Sequence, residues 1–117
     1  MSTVKRPLFA DFETHTGNDA DFKNELIILM IANVLELKRA VDFSIGIFDE
    51  LRFASVCHKV TTTLFILNDS EFSETVDTIR RNGQNTEKLV LFDSLCSQIL
   101  GSLQAELSIV DAAVVYP

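Results

Sequence analysis

Apolar residues recur at three- and four-residue steps through residues 49–67, the stretch DELRFASVCHKVTTTLFIL. On a helix of 3.6 residues per turn, this spacing places them along one continuous face. The face consists of Phe53, Val56 or Cys57, Val60, Leu64 and Leu67. His58 lies about 100° away from Cys57 around the same helix. The pattern therefore predicts a buried helix that carries one histidine on its flank.

Few residues of this chain favour turns. The 117 residues include only four Gly and two Pro, while 47% are hydrophobic. A chain of this composition is expected to fold rather than to stay disordered, and to form a few long elements. Its length suits a single domain spanning residues 1–117.

Three further helices follow from apolar spacing and capping residues. A long helix is predicted to begin near Asp19, a short one carries Phe72, Val76 and Ile79, and a last one begins at Asn85 or Thr86. The main apolar face of the long helix is predicted to contain Phe22, Leu26, Leu29, Met30, Asn33, Leu37 and Ala40 or Val41.

The connections between these helices are short, and residues 7–12 predict a short additional helix at the N-terminus. Short connections favour antiparallel neighbours. We therefore expect an all-α fold, an antiparallel up-and-down four-helix bundle with a short N-terminal capping helix. Residues 43–48, FSIGIF, are expected to form a connection rather than a strand.

The first long helix carries more apolar residues than one buried face requires. The additional ones are Ile27, Ile28, Ile31, Val34 and Leu35. They leave two interpretations open: a central helix that is contacted on several sides, or an apolar patch that remains available to a partner.

Charge and hydropathy argue against several classes of function. The net charge is −7 and no basic run is longer than a pair, which disfavours nucleic-acid binding; the pairs are Lys5-Arg6, Lys38-Arg39 and Arg80-Arg81. The longest apolar run, residues 26–32, is too short to span a membrane, and the N-terminus lacks an apolar signal core. We expect a soluble, cytoplasmic protein. Cys57 and Cys96 lack metal-ligand spacing and are predicted to be reduced, packed thiols.

The order of three segments resembles that of histidine-containing phosphotransfer (HPt) domains. The segments are GNDADFKNELIILMIANVLELKRAV, DELRFASVCHKVTTTLFIL and SEFSETVDTIRR. In this family a helix that starts with a glycine-acidic-x-acidic-Phe motif precedes the helix with the phosphorylated histidine. The resemblance covers about residues 17–81, while the last helix matches only in its general character.

The residues around His58 carry the most specific part of this resemblance. The family histidine is followed by any residue, an aliphatic residue, a lysine, a small residue and a small or hydroxylated residue. Val60, Thr62 and Thr63 match this pattern, but Thr61 stands where the family has its lysine.

The resemblance implies a phosphocarrier rather than an autonomous enzyme. His58 would accept a phosphoryl group from a response-regulator receiver domain, or serve a hybrid sensor histidine kinase, without a metal or cofactor of its own. Thr61, Thr62 and Lys59 would support the phosphoryl group. The partner would dock on a surface formed by Ile27, Ile31, Leu51, Ala54 and Phe65.

Other interpretations stay open at this point. Without its lysine, the domain would also suit a non-catalytic module that binds a receiver or kinase and carries no phosphate. The hydroxyls of Thr61 and Thr62 would either donate to a phosphoryl oxygen or bond back to the carbonyl four residues earlier. The apolar surplus of the first helix would also suit a dimer, although a monomer is favoured.

Overall fold

The chain folds into helices throughout the part that the computed structural model describes, which comprises residues 16–17, 19–41, 49–83 and 85–114, with side chains as far as residue 107. The helices are α1 (Ala20–Ala40), α2 (Glu50–Lys59), α3 (Thr61–Leu67), α4 (Ser70–Arg81) and α5 (Thr86–Val114). The predicted all-α fold is confirmed for these ranges. The predicted capping helix at residues 7–12 and the connection at 43–48 lie outside the described residues.

Four of the helices begin at a side-chain cap. In each case a side-chain oxygen accepts the backbone N–H three residues later, at 3.0–3.1 Å; the caps are Asp19, Asp49, Asp69 and Asn85. This bond satisfies one of the N–H groups that a helix start leaves without a partner. Asn68 ends α3 in the left-handed conformation, with φ of 50°.

The helices enclose one apolar core. α1 packs against α2 and α5, and α4 packs against the same two helices. Phe92 of α5 lies at the centre of this arrangement, stacked on Phe72 of α4 at 5.8 Å and edge-on to Phe53 of α2 at 5.9 Å between ring centroids. Each of these rings is at most 1% exposed. Burying one such side chain contributes about 1.5–3 kcal/mol, so the three rings join α2, α4 and α5 firmly.

The buried face of α1 differs from the predicted one. Phe22 and Leu29 are about half exposed, at 48% and 54%. Met30, Leu37 and Ala40 of the predicted face are buried, and the buried face also contains Ile27 and Val34, which were not assigned to it. Because apolar residues surround most of this helix, their period does not select one face, and the positions of α2 and α5 decide it.

This rotation corrects the predicted docking surface. Ile27 was expected to contact a partner, but its side chain is fully buried in the core. A side chain with no accessible area cannot contact a docked protein, so Ile27 is a core residue. The prediction was wrong because it assigned Ile27 to the outer side of α1.

The predicted single helix over residues 49–67 consists of two. Val60 separates α2 from α3, with φ of −99° and ψ of 14°, and its N–H donates to the carbonyls of Val56 and His58. Regular bonding resumes at Leu64, whose N–H donates to the Val60 carbonyl at 3.1 Å. Phe53, Val60 and Leu67 are still buried on both sides of the break. The apolar face was therefore predicted correctly, whereas the interruption was not.

Candidate functional site

His58 lies in the last turn of α2 with its side chain exposed to solvent. Leu51 lies seven residues before it and Phe65 seven residues after it, which corresponds to about two helical turns in each direction. Leu51 is 85% exposed and Phe65 is 75% exposed, the highest values among the exposed large apolar side chains of the described part of the chain. The imidazole is thus an accessible group between two accessible apolar side chains.

The hydroxyl of Thr61 turns back onto the end of α2. Its Oγ1 donates to the carbonyl oxygen of Cys57 at 3.0 Å and to that of His58 at 2.9 Å. This bonding is typical of threonine in helices and was one of the two alternatives considered for this residue. The hydroxyl has a single hydrogen, so it must rotate away from these carbonyls before it can donate to a phosphoryl oxygen.

The next two threonines differ in their surroundings. Thr62 is exposed, as expected for a residue one turn beyond His58 on the same side of the helix. Thr63 is only 3% exposed, and its Oγ1 accepts a 2.7 Å hydrogen bond from Nδ2 of Asn33. Thr63 therefore joins α3 to α1, while Thr62 remains accessible beside the imidazole.

Lys59 is directed towards α1. Its Nζ lies 3.0 Å from Oε1 and 3.1 Å from Oε2 of Glu36. The side chain of Lys59 is 66% exposed and that of Glu36 is 34% exposed. The ammonium group that was expected to support a phosphoryl group is therefore paired with a carboxylate on one flank of His58.

A groove runs along the opposite flank, between α2–α3 and α4. Its volume is about 200 Å³. The residues that line it are Cys57, Thr61 and Leu64 on one side and Ser73, Val76, Asp77 and Arg80 on the other. The groove forms only where two helices meet, so the spacing of residues within one helix does not predict it. The sequence feature that could have pointed to a charged residue in this groove was the pair of arginines in the last turn of α4.

The thiol of Cys57 is a packed group rather than a nucleophile. Burial raises its pKa to about 11, while the nearby guanidinium of Arg80 opposes this rise. Burial likewise raises the pKa of Cys96 to about 12. Both thiols are free and buried, as predicted. At neutral pH they stay protonated and behave as small apolar side chains.

The other predicted docking residues vary in exposure. Leu51 and Phe65 are exposed, whereas Ile31 and Ala54 are half-buried. Further exposed apolar side chains, which the predicted surface did not include, are Phe22, Ile28, Leu29 and Val90. Those on α1 result from the surplus of apolar residues around that helix.

No group of three or more His, Cys, Asp or Glu side chains in the described ranges is arranged to hold a metal ion. Among the same residues, no helix has both the length and the apolar character that crossing a membrane requires. Comparisons with protein-family models, curated proteins and solved structures gave no match to this chain. The candidate site is therefore defined by its own residues and their geometry.

Proposed function

We propose that this protein is a phosphocarrier of the HPt type, which accepts a phosphoryl group on His58 from the phospho-aspartate of a receiver domain and donates it to a second receiver. The observation that carries the proposal is the position of His58, exposed near the end of α2 between the accessible side chains of Leu51 and Phe65. A carrier histidine must be reached by another protein, and apolar side chains around it would provide contact area for that protein.

The chemistry needs little from the carrier besides position. The unprotonated ring nitrogen of His58 attacks phosphorus, a P–N bond forms, and the P–O bond to the aspartate breaks. The carboxylate leaves with the electron pair, and the ring retains its remaining N–H. Histidine suits this step because a large fraction of an ordinary imidazole is neutral at pH 7 and therefore nucleophilic without an activating base. Positioning and charge stabilisation dominate phosphoryl transfer, and the receiver would supply the metal ion.

The proposal includes an up-and-down four-helix bundle in which α2 and α3 together take the place of one of the four helices. Two contacts support this topology: Asn33 with Thr63, and Glu36 with Lys59. The residue numbers rise along α1 as they fall along α2–α3, which is the order expected for antiparallel neighbours. In this proposal the protein acts as a cytoplasmic monomer in a two-component phosphorelay.

The test is phosphoryl transfer from a ³²P-labelled receiver domain of the same organism. Acid-labile label is expected on the wild type and on His15→Gln, and none on His58→Gln. The His15→Gln variant is the matched control because the chain has only two histidines. Label that persists on His58→Gln, or wild-type protein that no receiver labels, would overturn the proposal.

A second candidate function is docking without phosphate transfer. Two observations favour it: the hydroxyl of Thr61 is bonded to backbone carbonyls, and Lys59 is paired with Glu36. In that case a receiver would bind the wild type and His58→Gln equally well, and neither protein would take up label. Titration calorimetry with the same receiver domains distinguishes this outcome from complete absence of binding.

A further inference from the structure

An arginine of α4 lines the groove that borders the turn after His58. Thr61 lines one side of the groove and Arg80 lines the other. Cys57, the chain neighbour of His58, lines the groove as well, and Thr61 lies one turn beyond His58 on the same side of the helix. Arg80 therefore lines the same groove as the chain neighbour of His58 and the residue one turn beyond it, while His58 itself lies next to this groove in the chain rather than in its lining.

The ion pairs of α4 leave Arg80 able to turn towards this space. Nη2 of Arg80 lies 2.8 Å from Oδ1 of Asp77, and Nη2 of Arg81 lies 2.8 Å from Oδ2 of the same carboxylate. Two cations thus share one anion, which leaves one positive charge in excess. When Arg80 moves, Arg81 still holds Asp77, so the carboxylate does not lose its only partner.

The electrostatic influence of Arg80 already extends to α2. Its positive charge acts on the Cys57 thiol across the groove and lowers the pKa of that thiol against the larger rise that burial causes. An Arg side chain is long, and its planar group can donate two parallel hydrogen bonds to a phosphoryl group. A phosphoryl group carries about two negative charges at neutral pH, so an adjacent cation would stabilise it.

The nearest lysine in the sequence is not placed for this role. Lys59 bonds Glu36 on the flank of His58 opposite the groove, and Thr61 has no charge. We propose that Arg80 is the residue that neutralises a phosphoryl group on His58, so that α4 supplies the positive charge that Thr61 cannot. This inference rests on the proposed function, because it assigns a positioning and charge-stabilising role at the same site.

The test uses potassium phosphoramidate, which phosphorylates exposed histidines without a partner protein. The ring nitrogen of His58 attacks phosphorus, the P–N bond of the reagent breaks, and ammonia leaves. In a His15→Gln background the only remaining histidine is His58. Intact-mass spectrometry or ³¹P NMR then gives the rate at which phospho-His58 forms.

Arg80→Gln is expected to slow this rate about three- to tenfold, the effect of removing one charge-assisted contact from a partly exposed site. Arg81→Gln is the matched control, because it removes the same charge from the same carboxylate and the same helix end but leaves Arg80 in the groove lining. Because Arg80 then becomes the partner that Asp77 retains, this variant is expected to slow the rate too, but by less than Arg80→Gln. Arg80→Lys, which keeps the positive charge, is expected to retain at least half of the wild-type rate of phospho-His58 formation. The difference between the two Gln variants should shrink in 1 M NaCl.

Equal rates for Arg80→Gln and Arg81→Gln would overturn the role of Arg80 and leave the proposed function intact. The opposite result is also distinguishable. If no receiver domain labels the wild type but the phosphoramidate rates are as expected, the proposed function is overturned and the electrostatic role of Arg80 stays intact. Unfolding in urea checks that both variants keep the fold. Because Arg80 and Arg81 are both exposed, we expect little change in stability for either.

Discussion

Lys59 and Glu36 form an ion pair across the contact between α1 and α2, with Nζ at 3.0 and 3.1 Å from the two carboxylate oxygens. Lys59 and Cys57 are two residues apart, which places them on nearly opposite sides of a helix with His58 between them. One flank of His58 therefore carries a paired lysine, and the other faces the groove that contains Arg80.

Replacing Glu36 with Gln should have little effect on stability. The pair is partly exposed, so its Coulomb energy is screened by water and partly offset by lost side-chain entropy. We expect the free energy of unfolding in urea to change by less than about 1 kcal/mol. Glu25→Gln, an exposed carboxylate on the same helix, is the control for net charge. A loss of more than about 2 kcal/mol relative to that control would contradict this view of the pair.

Replacing Thr63 with Val should be more costly than the same change at Thr62. The hydroxyl of Thr63 is buried and accepts the 2.7 Å bond from Asn33, so its removal leaves that amide without this acceptor. We expect a loss of about 1–2 kcal/mol for Thr63→Val and a change within about 0.5 kcal/mol for the exposed Thr62→Val. Urea unfolding of both variants measures the difference, and equal values would contradict the structural role of the Asn33 contact.

Thr61→Lys should accelerate phosphorylation of His58. The substitution places a cation one turn beyond the acceptor, on the same side of the helix, where it attracts the incoming phosphoryl group. We expect a rate about threefold to tenfold higher with the labelled receiver domain or with phosphoramidate. Ser94→Lys, which adds the same charge at an exposed position of α5, should not change the rate. An equal increase in both variants would indicate a general effect of net charge.

Substitution of a buried phenylalanine should reduce stability, whereas substitution of an exposed one should reduce partner binding. Phe92 is 1% exposed and contacts both Phe53 and Phe72, so Phe92→Ala should cost about 3–5 kcal/mol of unfolding free energy. Phe65 is 75% exposed, and Phe65→Ala should leave stability within about 0.5 kcal/mol. The same Phe65 variant should weaken receiver binding at least about fivefold in titration calorimetry. Unchanged affinity would remove Phe65 from the docking surface.

The buried thiols should make stability fall in alkaline solution. Burial raises the pKa of Cys57 to about 11 from the 9.0 of a solvated thiol, so the folded state holds this proton to a higher pH than the unfolded state does. The contribution is complete below pH 9 and is lost as pH rises towards 11. The stability difference between wild type and Cys57→Ala should therefore decrease over this range in urea unfolding. A constant difference would contradict the raised pKa.

The local features of the fold could be predicted well because their causes lie close together in the chain. The caps at Asp19 and Asp49, and the buried face of α4 with Phe72, Val76 and Ile79, depend on residues within a few positions of each other. A capping oxygen and an apolar period of 3.6 residues act within one helix and need no information about its neighbours.

The position of His58, the candidate acceptor, could also be predicted from the sequence. The periodicity of residues 49–67 placed His58 on the flank of a buried helix, and the structure has it exposed there. The break at Val60 was not predicted, because its neighbours continue the apolar face and contain no Gly or Pro. The carbonyls of Cys57 and His58 accept from the Thr61 hydroxyl at this break, a local bond that competes with regular helix geometry.

The helical class, most helix starts, the apolar faces of α2–α3 and α4, and the position of His58 beside such a face follow from the order of residues in the chain. The buried side of α1 does not, because apolar residues nearly surround that helix and the contacts with α2 and α5 select the side that is covered. Tertiary structure also decided the partner of Lys59 and the presence of Arg80 in the groove. Both depend on which helices meet, and each contact joins residues that are distant in the chain: Lys59 and Glu36 are 23 positions apart, as are Cys57 and Arg80.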